Sequence, residues 1–496
     1  MIQSRRTGIV LSTLVFALSA TVWATDPSPV PAPDPAPQAA AAAATSAPAP
    51  LQFKLGEATF TPLGFMDMTS VFRSASAGSG IGTNFGSIPY NNNTAAKLTE
   101  ERLSIQNSRL GMRVDANVKG ANVMGYWESD FLGNVNGQNN TSVSSNSYTL
   151  RLRLFFVDVR KGQWEVLGGQ SWSLITPGRK GISPLPGDLF YSQDVDVNYN
   201  VGLAWGRIPQ FRLVYHPSDT VAAAVSFENP DQYIGGSGGG GAIVFPTTGG
   251  FSTSYVANQL DNGATGATTT TNPIPDVIAK LAFDPKVGSL SQHIELVGLL
   301  REFKVFNPGT AANVPGSKFT AEGAGVALNM NFALAKNFHL VTNNLYGDGA
   351  GRYLFGTGPD LIVRGDGSLS PIHDAATVSG FEVNPGPNTL LYAYYGDAYF
   401  GKNVAVDSAG KLVGYGCPGG LCSNAQNRNI QEGTFGLTQT FWKSANYGAL
   451  SFMVQYAYYN RDPWVANLAA GGKDAHNSTV FLNLRYALPG SAPAIK

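Results

Sequence analysis

Residues 102–131, RLSIQNSRLGMRVDANVKGANVMGYWESDF, decide the fold. From Asn107 onward a polar or charged residue alternates with an apolar or small one. The pattern pauses at Lys119-Gly120 and then resumes. Period-two alternation makes a strand with one oily face and one wet face. If Lys119-Gly120 is a two-residue turn, Val118 pairs with Ala121 and the register of the whole hairpin follows. One face then holds Leu110, Met112, Val114, Ala116 and Val118, with Val123, Trp127 and Phe131. The other holds Arg109, Arg113, Asp115 and Asn117, with Asn122, Tyr126, Glu128 and Asp130. Arg109 falls opposite Asp130 and Glu128 lies diagonally from Arg113, so the charges gather on one side and roughly pair. Such a sheet fits a soluble core, with the oily face inside, or a membrane barrel, with the oily face outside.

The rest of the chain favours the barrel. Tight connections are predicted at Lys119-Gly120, Lys161-Gly162, 216–219, 284–288, 334–337, 384–388 and 443–446. Long polar loops fall at 74–100, 132–147, 174–207, 229–275, 304–317, 348–374, 401–429 and 462–476. Short and long connections alternate throughout, joining about sixteen strands. Short turns on one rim and long loops on the other mark a transmembrane antiparallel β-barrel, with periplasmic turns and extracellular loops. A soluble sandwich or propeller would space its turns more evenly. In YGALSFMVQYAYY, Leu450, Phe452, Val454, Tyr456 and Tyr458 share a face opposite Ser451, Gln455 and Ala457. In STVFLNLRYAL, Val480, Leu482, Leu484, Tyr486 and Leu488 lie opposite Thr479, Asn483 and Arg485.

The second hairpin, about Lys161-Gly162, puts Arg151 and Arg153 opposite Trp172 and Gln170. Its oily face takes Leu150, Leu152, Leu154 and Phe156 with Leu167 and Gly169. That face ends in Asp158 and Glu165, which either reach the headgroup zone or signal a bulge near Phe155 that shifts the phase.

Composition narrows the class. The 58 glycines make up about 12% of the chain against a usual ~7%, and charged residues are 13% against a usual ~25%. Formal net charge is +0, which argues against nucleic-acid binding, since nothing offsets phosphate charge. Residues 1–24 read as a signal peptide, with Arg5 and Arg6 before an apolar run and a small residue, Ala24, at the cut site. Residues 25–50 form a Pro/Ala-rich tether without core-forming capacity, followed by the barrel at 55–488 and an extension at 489–496. After the signal no apolar run is long enough for a membrane helix, so a membrane form must be a closed barrel. Cys417 and Cys422, in CPGGLC, are expected to form a disulfide stapling one loop of an exported chain. No metal site or cofactor is expected.

The stretches SRLGMRVDANVKGANVMGYWESDF and LRLRLFFVDVRKGQWEVLGGQSWS, the latter followed by a long loop, resemble Gram-negative outer-membrane porins. Within that superfamily the chain is most similar to DcaP-like porins, over about residues 55 to 488. The resemblance implies a homotrimer of sixteen-stranded barrels in outer-membrane lipid, each pore narrowed by the third long loop, here 174–207. Two features depart from it. Such porins usually end in an aromatic residue that the assembly machinery recognises, whereas this chain ends in PGSAPAIK; and the Pro/Ala tether replaces the coiled-coil segment seen before some DcaP-like barrels.

A porin performs no bond chemistry; it holds a solute at a constriction weakly enough to release it. The candidate constriction is a basic wall of Arg109, Arg113, Arg151 and Arg153 facing Glu128, Asp130 and the third-loop acids Asp188 and Asp194. Arginine stays ionised in a narrow lumen and offers a planar fork to carboxylates and phosphates. The same arginines also satisfy the wall carboxylates and hold the barrel's shape. A clustered basic wall favours anionic or dicarboxylate-like solutes, while the neutral overall charge points to a mixed pore. Changing Arg151 and Arg153 to Ala is expected to shift permeability toward cations. Two other classes compete. A barrel hydrolase needs a Ser–His pair, yet His216, His293, His339, His373 and His476 are scattered and none adjoins a nucleophile-elbow pattern. A secreted adhesin or binding protein would use IGGSGGGGAIVFPTTGG as a ligand loop, a stretch that equally suits a flexible extracellular loop.

Overall fold

The computed structural model describes residues 51–133, 146–185, 190–235, 241–246, 259–261, 272–307, 315–418, 426–465 and 474–489. The expected signal peptide, the tether, Asp188, Cys422 and nearly all of the C-terminal extension lie outside them.

Sixteen antiparallel strands close into a barrel. In chain order they are β1 (Ala58–Arg73), β2 (Glu100–Ser104 continued by Arg109–Val118), β3 (Ala121–Asp130), β4 (Arg151–Lys161), β5 (Trp164–Trp172), β6 (Arg207–Ser218), β7 (Val221–Glu228) and β8 (Asp276–Phe283). They continue as β9 (Leu290–Asn307), β10 (Ser317–Ala335), β11 (Phe338–Asp348), β12 (His373–Gly386), β13 (Thr389–Phe400), β14 (Asn427–Ser444), β15 (Gly448–Pro463) and β16 (Ala475–Ala487). Each pairs with its chain neighbours, and β1 pairs with β16 from Phe65↔Ala487 to Arg73↔Thr479. Closure removes the free sheet edges that hydrocarbon cannot solvate. Among the described residues no helix is long and apolar enough to cross a membrane.

The wet face is inside. Along β16, Thr479, Asn483 and Arg485 are buried on the lumen side, while Leu482 and Leu484 are exposed outward. The same inversion runs around the wall: Asp67, Lys280, Glu295, Arg301, Asn329 and Asn343 are buried, whereas Met66, Leu281, Leu296, Leu300 and Val326 are exposed. Each exposed apolar side chain would be unfavourable in water by roughly 25 cal/mol per Å² and is neutral against lipid tails.

The first hairpin has the register its sequence predicts, from Arg109↔Asp130 to Val118↔Ala121. The second differs. Its turn is Gly162-Gln163, since Lys161 pairs with Trp164, and Gln170 faces Phe155, not Arg153. Between β3 and β4 the register skips Arg153, with Glu128 opposite Leu154 and Ser129 opposite Leu152. This β-bulge reverses the alternation beyond it. Leu152 stays outward, but Leu154 and Phe156 are buried in the lumen with Leu167, and Phe155 and Val157 take the lipid face. Asp158 and Glu165 therefore face the lumen.

A candidate selectivity site in the lumen

The wall of β1 to β4 supplies the first layer of the site. Alternation from the Arg109↔Asp130 pair carries Arg109, Glu128, Asp130 and Arg151 to the same side. Arg151 donates to Asp130 from Nε (3.0 Å) and Nη2 (2.5 Å). Arg153 reaches both acids, with Nε 2.5 Å from Glu128 and Nη1 3.0 Å from Asp130. The Arg153 side chain is only 2% exposed, whereas Arg151 is 35% exposed. Arg153 is thus a buried structural cation, and Arg151 is a paired one at the lumen surface.

Arg113 does not join this group. It forms a bidentate pair with Asp115 on its own strand, nearer the tight turn, with Nη2 2.8 Å from Oδ1. Asp194 bonds elsewhere as well. It accepts from Arg485 Nη1 at 2.8 Å, and Arg485 Nε donates to Asp67 at 2.9 Å. Phe65 lies beside both sets, 5.1 Å from the Arg109 guanidinium and 3.9 Å from that of Arg485. Cys417 is buried and disulfide-bonded.

Residues 173–185 and 190–206, between β5 and β6, lie against the lumen side of the wall. Their backbone N–H groups donate to inward carboxylates: Leu174 to Glu228, Gly178 to Glu295, Gly181 to Asp284 and Val201 to Glu432, at 2.7–3.2 Å. The Ala204 N–H donates to Asn343 Oδ1, and Arg179 pairs with Glu382 at 2.7 Å. The bonded groups lie on β7, β9, the β8–β9 turn, β11, β12 and β14, so these residues span much of the barrel's circumference. Glycines permit their closest approach. At Gly202 (φ +81°) a Cβ would lie 2.1 Å from the Thr377 carbonyl oxygen, and at Gly396 it would lie 2.1 Å from that of Val201.

The returning end of this segment brings in residues that sequence reasoning missed. Tyr199 has a left-handed backbone (φ +75°), and its hydroxyl accepts from Arg207 Nη1 at 2.9 Å and from Arg153 Nη2 at 3.3 Å. Burial opposes ionisation of this phenol, but Arg153, Arg207 and Arg109 outweigh it and hold Tyr199 below the ordinary value. The Arg207 guanidinium lies over Trp172 (5.3 Å) and Trp205 (5.1 Å). Trp205 stacks on Phe355 at 5.8 Å, joining this segment to the loop between β11 and β12.

The charges do not balance locally. Among the described residues, no carboxylate oxygen lies within 4 Å of Arg109 or of Arg207. Both are half-buried, and Arg109 Nε is buried without a hydrogen-bond partner. Arg485 was legible in the sequence, on the polar face of the last strand. Arg207 was hidden at the end of an expected loop.

No family model and no curated protein sequence matches the chain. Solved structures do resemble it. The outer membrane channel DcaP of Acinetobacter baumannii aligns with 18% identity over 88% of this chain and 99% of that one, at a TM-score of 0.61. An anion-selective porin from Comamonas acidovorans (12% identity, 87% and 100% coverage, TM-score 0.45) and Pseudomonas putida OprB (10%, 86% and 94%, TM-score 0.44) are more distant. The fold is that of an outer-membrane porin.

Proposed function

We propose that the protein is a homotrimeric porin of the Gram-negative outer membrane, giving small hydrophilic solutes passive passage and favouring anions. Export by the leader at 1–24, with the tether at 25–50 left in the periplasm, belongs to the same reading. Residues 173–185 and 190–206 act as the constriction, and solutes pass between them and the wall of β1 to β4. The reading rests on one observation above the rest: Arg109 and Arg207 are half-buried guanidinium groups with no carboxylate within 4 Å among the described residues. Their neighbours Arg151 and Arg153 are neutralised by Glu128 and Asp130. An unneutralised guanidinium at a narrow point attracts a passing carboxylate or phosphate, and a water-filled lumen keeps that attraction weak enough for release. Planar-bilayer reversal potentials under a KCl gradient test this. Arg109→Ala combined with Arg207→Ala should move the potential toward the cation side, and an unchanged potential would refute the assignment.

A further inference from the structure

A cavity of opposite character to the arginine cluster lies at the tight-turn end of the lumen. It measures about 530 Å³ and sits at the tight-turn rim, between the wall of β1 to β5 and residues Ser183, Pro184 and Leu185. Glu57, Asp115, Asp158 and Glu165 line it, against Arg113 and Arg160. Arg113 is taken up by Asp115 at 2.8 Å. The bulge at Arg153 turns Asp158 and Glu165 inward as diagonal cross-strand neighbours, Asp158 being paired with Leu167.

These two acids are unusual. Asp158 is 5% exposed and Glu165 2% exposed, and Asp158 Oδ1 and Glu165 Oε1 are buried without hydrogen-bond partners. Among the described residues no cation lies within 4 Å of Asp158, and Glu165 meets only His216 Nε2, at 3.1 Å. Arg160 stands across from Glu165 beyond ion-pair distance, and Arg212 on β6 donates to Gln210 and to the Trp172 carbonyl. Two ionised carboxylates cannot donate to each other, so the pair needs either a shared proton or a cation from outside. Among the described residues no grouping of three ligands suits a metal ion. Met124, Pro184 and Leu185 line the same cavity and would cover methylene groups, while Asn117 and Asn122, hydrogen-bonded to each other, close its tight-turn end.

We propose that this cavity is a subsite for alkylammonium groups, which bind at Asp158 and Glu165 in competition with a proton shared between them. The site gives a pore with an anion-attracting middle a cation-holding mouth on its tight-turn side, the periplasmic side in barrels of this kind. It rests on the channel reading above.

The test is block of single channels of the full-length protein in a planar bilayer, with the diamine putrescine as probe. Block is expected from the tight-turn side and should weaken as pH falls from about 8 to about 6, because the proton competes. Asp158→Asn with Glu165→Gln should weaken block about tenfold or more while open-channel current persists. If that pair prevents assembly, Asp158→Asn alone carries the test. Channels that open but are not blocked, block from both sides alike, or a double variant blocked as strongly as the unaltered channel would overturn the amine site while leaving the porin reading intact. Absence of any channel overturns the porin reading and the amine site with it.

Discussion

Replacing Arg153 by Met should destabilise the barrel far more than replacing Arg151 by Met, although the two arginines are two residues apart on one strand. Arg153 is 2% exposed and donates to Glu128, Asp130 and the Tyr199 hydroxyl. Its removal leaves Glu128 without an ion-pair partner among the described residues and Tyr199 with Arg207 alone. Breaking a buried pair from one side costs about 3–5 kcal/mol, because the remaining charge is still desolvated. Arg151 is 35% exposed, and Asp130 keeps Arg153 when Arg151 is lost. Solvent screening limits that loss to about 1 kcal/mol or less. Urea unfolding in lipid vesicles, followed by tryptophan fluorescence, measures the difference, and Arg153→Lys serves if the Met variant does not assemble. Equal losses for the two variants would refute the division between a buried structural cation and an exposed paired one.

Three further outcomes follow from the geometry. Gly202→Val should lower single-channel conductance, since the added side chain clashes with the Thr377 and Asp397 carbonyls on β12 and β13 and pushes residues 190–206 toward the wall of β1 to β4; an unchanged conductance would show that this contact does not set the pore. With single cysteines, Phe155→Cys should react with a lipid-soluble maleimide and Leu154→Cys should resist it, and the reverse result would remove the bulge at Arg153. Anion preference should fall as KCl rises from about 0.1 M to about 1 M, because the screening length shrinks from ~10 Å to ~3 Å. A preference constant across that range would place its origin somewhere other than in Arg109 and Arg207.

Much of the barrel was legible because two independent signals agree. Alternation gives each strand its faces, and the contrast between short and long connections gives the topology, down to the Val118↔Ala121 register. The bulge was harder to read. One extra residue leaves no mark in composition, and its trace was the misplaced pair Asp158 and Glu165 on an apparently oily face. The site was only partly legible, because its partners are settled by long-range packing. Asp194 meets Arg485 at a sequence separation of 291 residues, and Arg207 lies where an expected loop becomes strand. Arg113 shows the converse: its nearest acid is Asp115, two residues along on the same face, and that local pair prevails over the diagonal Glu128.

The central claim is tested most directly by adding the purified, unaltered protein to a planar lipid bilayer under a tenfold KCl gradient. The account predicts stepwise currents arriving in threes, with a reversal potential on the chloride side. A bilayer that stays sealed, or channels whose reversal potential lies on the potassium side, would contradict it.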